Sequence, residues 1–390
     1  MIARIQADKI KEMAKLFPVI ALTGPRQSGK TTLLKACFED YRYVSLENLQ
    51  TREFAIQDPE GFLKLYNEYV IFDEIQRVPA LFSYLQEKVD EAQVPGQFIL
   101  SGSQNFLLMQ SISQTLAGRV YLMDLLPLTF EEIKPFSSGE ITKELIRGAY
   151  PRIVHTGIHP QDYFPSYVQT YVERDVRTLL NIHDLSKFKK FITLLAHQAG
   201  QLFNASSLAV KLGVKPPTIQ RWLSLLEASY IAFTLIPWHQ NLAKRSIKTP
   251  KLYFYDTGLL CFLLGIRSTE SLVQSTYKGA LFENYVILEI LKHQKARGIS
   301  TPLAFYRDHD QHEIDLIIEG PEQTQLIEMK ANFTVKPEHL KSLHYLDQKL
   351  NKTQLQHTLV NFSAESQQRT KETILSWKEI CLLVPEVPSI

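Results

Sequence analysis

The sequence predicts an α/β protein. Its first part reads as a parallel sheet with helices on both faces, followed by a helical region and then a smaller α/β domain. Three observations carry this. Gly24-Pro25-Arg26-Gln27-Ser28-Gly29-Lys30-Thr31 fits G-x-x-x-x-G-K-[ST], between an apolar run (Phe17–Thr23) and a helix-like stretch that opens at Thr32. Further apolar runs, at Tyr69–Glu74 and Gly96–Leu100, suit buried strands of one sheet. Beyond residue 276 a long helical pattern gives way to alternating strands joined by the turn Glu319-Gly320-Pro321. The expected domains are 1–147, 148–275 and 276–390.

The whole chain sets outer limits. Its 390 residues suffice for two or three domains, and its apolar and charged fractions are those of an ordinary soluble protein. The N-terminus lacks an apolar signal core, and no run approaches the roughly 20 apolar residues that a membrane helix needs. Cys37, Cys261 and Cys381 are scattered, without a CxxC pair. A disulfide scaffold or zinc site is therefore not expected, and the cytoplasm is. The net charge of +2 points to no class of partner.

In order, Ile2, Ile5, Ile10, Met13 and Leu16 recur at helical spacing and predict a short amphipathic helix before the first strand. The glycine-rich loop comes next. Successive backbone N–H groups in such a loop converge on a phosphate, and the helix that follows adds its positive dipole end. Gly24, Pro25, Arg26, Gln27, Ser28, Gly29, Lys30, Thr31 and Thr32 are thus expected to hold a nucleotide, with ATP and Mg²⁺ as cofactors. Lys30 would serve the β- and γ-phosphates and Thr31 the metal. Tyr41–Leu46 predicts a second strand. Tyr69–Glu74 ends in two carboxylates at a strand terminus. Asp73 suits Mg²⁺, and Glu74 suits the base that orients and deprotonates water. Ser103, after the Gly96–Ser101 strand, either contacts the γ-phosphate or lies in a loop turning on Gly102. Arg119, beside Gly118, is either a surface residue or an arginine finger, acting in cis or on a neighbouring subunit. The finger reading implies a homo-oligomer, a ring among its forms.

These segments together resemble a prokaryotic family of AAA-type P-loop ATPases: Leu22–Gln27, Phe72–Gln76, Leu100–Ser103 and Leu116–Arg119. Gly148–Pro151, Tyr171–Asp175, Tyr253–Leu259 and Gly279–Asn284 extend the resemblance over nearly the whole chain. It implies a P-loop NTPase core with a sensor at Ser103 or Gln104, a finger at Arg119, a winged helix, and a restriction-endonuclease-like C-terminal domain of unknown function. Tyr163 and Tyr167, on one stripe with Tyr171 and Asp175, read as packing residues.

Between residues 203 and 227 a helix-turn-helix pattern is legible. Ser206 reads as a cap, Gly213 as an exit, and Pro217 as the start of a second helix. That helix would present Thr218, Gln220 and Arg221 outward, and Tyr230–Ile236 would begin a wing. From Lys187 to Lys251 ten basic residues, Lys244, Arg245 and Lys251 among them, face one acidic residue, Glu227. DNA is the expected partner, held mainly through phosphate contacts. The bland alternative is a solvated face or a protein contact.

The last domain places Glu283 on a helix, Asp315 on a strand, and Glu328 and Lys330 on one face of a returning strand. This order resembles nucleases of the PD-(D/E)XK type. The resemblance implies Glu283, Asp315 and Glu328 as Mg²⁺ ligands and Lys330 as the group that activates water or steadies transition-state charge. Two readings stay open: an ATPase acting on DNA through these modules, and a nucleotide-controlled binding switch whose nuclease-like domain does not cut.

Overall fold

The computed structural model describes residues 2–385 apart from 104–111, 113, 173–184, 239–248, 321–322 and 350–354. The chain divides into two compact units. The first comprises Met1–Leu128 with Ala228–Tyr230 and Lys295–Gly298, and the second the remainder.

The first unit is built on β1 (Val19–Thr23), β2 (Arg42–Ser45), β3 (Val70–Asp73), β4 (Phe98–Ser101) and β5 (Val120–Asp124), all parallel, in the order β2-β3-β4-β1-β5. Alternation along the strands feeds two separate cores. Val19, Ala21, Val70, Phe72, Phe98 and Leu100 pack with Phe62, Leu81, Phe82 and Leu85 on one face. Ile20, Leu22, Ile71 and Ile99 pack with Ile10, Met13, Leu33 and Leu34 on the other. Strands covered on both faces have no wet side, so the central β1, β3 and β4 read as continuous apolar runs. All five residues of β1 are buried. This is a mixed α/β fold with a parallel sheet flanked by helices.

The second unit is also α/β. Its strands are β6 (Ala232–Pro237), β7 (Lys251–Phe254), β8 (Leu303–Arg307), β9 (Glu313–Glu319), β10 (Thr324–Lys330), β11 (Leu355–Asn361), β12 (Gln367–Gln368) and β13 (Thr373–Ser376). They form one sheet in the order β12-β13-β11-β10-β9-β8-β6-β7. β9 and β10 are antiparallel, with Leu316 opposite Ile327, and β10 runs parallel to β11. The helix Lys278–Arg297 precedes β8, and the helix Lys341–Lys349 joins β10 to β11.

One expectation changes here. The helix Ala205–Leu212 is capped by Asn204, whose side chain accepts from Ser207 N at 2.9 Å, and not by Ser206, which lies inside the first turn. Strands from either side of residue 276 share the second unit's sheet. β6 pairs antiparallel with β7 and parallel with β8, Ile236 opposite Ala304, so the sheet runs on without a break. No helix among the described residues is long and apolar enough to cross a membrane.

The motifs of the second unit lock onto each other. The buried Asn284 side chain donates to Phe254 O and accepts from Phe254 N, as a neighbouring strand would. Asp256 caps the helix Thr257–Leu263 through Leu259 N and accepts from Ala149 N at 2.7 Å. A side chain on Gly148 would strike the Asp256 carboxylate at 2.4 Å.

Candidate functional site

The glycine-rich loop leaves the C-terminal end of β1 and enters the helix Lys30–Cys37. Gly24 is left-handed at φ 143°, and a Cβ there would lie 2.2 Å from Leu125 O, so only glycine fits. Gln27 (φ 61°) and Gly29 (φ 94°) turn the loop back on itself. Lys30 is buried, and its Nζ donates to Gly24 O and Pro25 O, both at 2.9 Å. Burial pushes its ammonium down to about 8, although Glu74 and Asp73 work to raise it. The Ser28 hydroxyl is buried and has no hydrogen-bond partner among the described residues. A backbone cradle, a buried lysine satisfied only by loop carbonyls, and an orphaned hydroxyl fit a triphosphate. Thr32, next along the helix, is exposed.

The acidic partners come from the ends of β3 and β4. Thr31 Oγ1 donates to Asp73 Oδ2 at 2.9 Å. Asp73 also accepts from Ser101 Oγ and from Tyr43 OH, each at 2.7 Å. Glu74 is left-handed at φ 56°, a costly conformation for a residue with a side chain. Its carboxylate accepts from Ser103 Oγ at 3.0 Å and from Gln76 Nε2 at 2.5 Å. The structure therefore brings Lys30, Thr31, Asp73, Glu74 and Ser103 together. Gln104 lies outside the described residues.

Arg119 is not part of that group. Val120 pairs with Val19, so Arg119 flanks the N-terminal edge of β5, while the loop leaves the opposite end of β1. Strand rise separates the two ends by about 15 Å, beyond the side chain's reach. Its guanidinium instead pairs with Asp90 at 2.8 Å. This rules out the in-cis alternative.

Sequence reasoning missed a buried network behind the loop. Tyr230 OH bonds to Thr23 Oγ1 at 2.7 Å and donates to Asp124 Oδ1 at 2.6 Å. Asp124 also pairs with Lys295 at 2.6 Å. Burial acts to raise the Asp124 carboxyl, but Lys295, Tyr230 and Thr23 overcome it and hold it below its ordinary value.

In the second unit, Gln220 and Arg221 are exposed and Thr218 is half-buried on the helix Pro216–Ala228. Gly213, left-handed at φ 62°, ends the helix before it. Lys244 and Arg245 lie outside the described residues. Lys251, counted with the basic face, does not belong there. It is 2% exposed on β7 and pairs with Glu283 Oε1 at 2.8 Å and with Glu313. Burial acts to strip its proton, yet Glu283, Asp315 and Glu313 hold it well above its ordinary value.

The carboxylates are arranged differently from the expected trio. Glu283 Oε1 accepts from both Lys251 and Tyr253 OH, the latter at 2.5 Å. Asp315 Oδ2 accepts from Met329 N at 2.8 Å, and Lys330 pairs with Glu328 at 2.7 Å and Asp315 at 3.8 Å. Burial pushes Glu283 up to about 7, with Lys251 opposing, and pushes Glu328 up to about 9, with Asp315 adding to it. Among the described residues, the acidic and histidine ligand atoms that gather within 4.8 Å are those of Asp308, Asp310 and His312. Glu283, expected as a third ligand beside Asp315 and Glu328, carries the Lys251 ammonium in this structure.

A family model described as an AAA domain matches residues 16–134. Two described as domains of unknown function, DUF8612 and DUF4143, match 139–270 and 278–380. The uncharacterized proteins Rv2008c of Mycobacterium tuberculosis and Mb2031c of Mycobacterium bovis are each 31% identical over 334 residues, 85% of this chain and 74% of theirs. Among solved structures, the walker-type ATPase PABY2304 of Pyrococcus abyssi shares 14% identity over 67% of this chain and 96% of that one, with TM-score 0.43. AMPPCP-bound DnaA from Aquifex aeolicus shares 14% over 57% of this chain and 85% of that one, with TM-score 0.32.

Proposed function

Because this chain belongs to the same family as the uncharacterized proteins Rv2008c and Mb2031c, and its residues 16–134 match an AAA domain, we propose that its first unit binds ATP with Mg²⁺ and hydrolyses it. The observation that carries this is the 2.9 Å bond between Thr31 and Asp73, which joins the phosphate loop to the acidic strand end. Lys30 and the loop amides would hold the β- and γ-phosphates, and Thr31 and Asp73 the Mg²⁺. The metal, when bound, neutralises charge on the triphosphate. Glu74 accepts the proton of the attacking water, and Ser103 orients Glu74. Arg119, paired with Asp90 at the far end of the sheet, would then be either a surface residue or a finger to a neighbouring copy, the latter making the working form an oligomer. Glu74→Gln should leave ATP binding intact and slow hydrolysis by about 10²-fold or more. Unchanged turnover would remove Glu74 from this role.

The second unit would deliver this activity to DNA. The exposed Gln220 and Arg221, on the second of two helices joined through Gly213 and followed by the β6–β7 pair, support a winged-helix reading. The sequence of helix, β8, β9, β10, helix and β11, with Asp315, Glu328 and Lys330 adjacent, supports a nuclease-like fold. If it cuts, Lys330→Ala abolishes Mg²⁺-dependent cleavage of plasmid DNA. The second reading, a switch whose nuclease-like domain only binds, is favoured by the lysine seated on Glu283. Under that reading, purified chain leaves plasmid DNA intact and Lys330→Ala changes nothing.

A further inference from the structure

We propose that the Lys251 ammonium is a resident cation of this domain, seated against Glu283 and Glu313 in the place that the nuclease-like reading gives to a divalent metal. The inference rests on that reading of the second unit. Both lone pairs of Glu283 Oε1 are taken, one by Lys251 Nζ at 2.8 Å and one by Tyr253 OH at 2.5 Å. A metal ion therefore reaches this oxygen only by displacing a donor.

Lys251 is poorly placed to yield. It is almost wholly buried, contacts Glu313 as well, and lies 5.4 Å from the Phe305 ring centre. The charges are also close to balance without a metal. The carboxylates Glu283, Glu313, Asp315 and Glu328 face the cations Lys251, Lys330 and Arg307, the last 3.4 Å from Glu313. Removing one partner of a buried ion pair leaves an uncompensated charge, so the vacated seat should attract a cation strongly.

The test uses the full chain, free of nucleotide, titrated with Mn²⁺ alone and followed by free-Mn²⁺ electron paramagnetic resonance and by thermal melting. Wild type and Glu283→Gln should take up the same amount of Mn²⁺ with the same affinity. Lys251→Met should bind one further ion and show a Tm that climbs with Mn²⁺ concentration. Adding Glu283→Gln to that variant should remove the gain. If Lys251→Met folds only when Mn²⁺ is present, that too is the expected result.

The proposal is overturned if Glu283→Gln alone weakens Mn²⁺ binding roughly tenfold or more, since Glu283 would then already be a ligand. It is equally overturned if folded Lys251→Met gains no ion. The comparison of wild type with Glu283→Gln leaves Lys251 in place and decides by itself if Lys251→Met never folds. None of these measurements uses DNA, so the nuclease-like reading stands or falls separately, in the cleavage assay with Lys330→Ala.

Discussion

Lys30, proposed to hold phosphate, is placed at a cost. Its ammonium is buried among carbonyls of its own loop, and burial pushes it down to about 8 from the 10.5 of an unfolded chain. Between those two values the unfolded chain binds more protons than the folded one, so stability must rise as pH rises through that window. The full effect is about 3 kcal/mol. Denaturant unfolding of the nucleotide-free chain should show this rise, and Lys30→Met should lack it. Glu74 is a second such residue, twisted into a left-handed backbone and bonded by Ser103 and Gln76. The loop and the Asp73–Glu74 pair were legible in the sequence because both are short, local patterns at strand ends. The donors that neighbouring strands bring to Asp73, Tyr43 and Ser101, were not, since nothing in local spacing reports which hydroxyl a fold brings across a sheet.

At the level of elements, apolar runs predicted β1, β3 and β4 because full burial on both faces leaves no alternation to misread. The helix pair around Gly213 was equally plain, although its cap moved from Ser206 to Asn204, two residues apart and chemically alike. The exposed edge of the helix Pro216–Ala228 makes a measurable claim. Arg221→Glu should weaken binding to duplex DNA and flatten the log–log salt dependence by about 0.9 if Arg221 meets one phosphate. A filter-binding series over salt concentration reads both effects, and an unchanged slope would take Arg221 off the interface. Lys251 shows where charge counting misleads. It opens β7 beside Leu252 and Phe254, and strand alternation puts it on the same face as Tyr253. An ionisable residue inside so apolar a strand signals a buried partner, not a solvated face. The pairing of β6 with β8 joins residues far apart in the chain, and no local pattern could reveal it.

At the scale of the molecule, the first unit is not one continuous stretch of chain. Ala228–Tyr230 and Lys295–Gly298 belong to it, and they supply the Tyr230 hydroxyl and the Lys295 ammonium that satisfy Asp124 next to the phosphate loop. A fragment ending at Leu128 should therefore unfold more easily than the same unit in the full chain. The loss should be about 2 kcal/mol from the Tyr230 bond to a charged group, with less from the half-exposed Lys295. Differential melting of the fragment and the full chain, with and without ATP, measures it. The same arrangement sets an order of events during translation. A ribosome that has released residue 128 must still deliver up to residue 298, roughly ten to thirty seconds of synthesis, before the nucleotide-binding half can close over Asp124. A message cut short anywhere inside that interval yields a product whose Asp124 lacks the Lys295 ammonium.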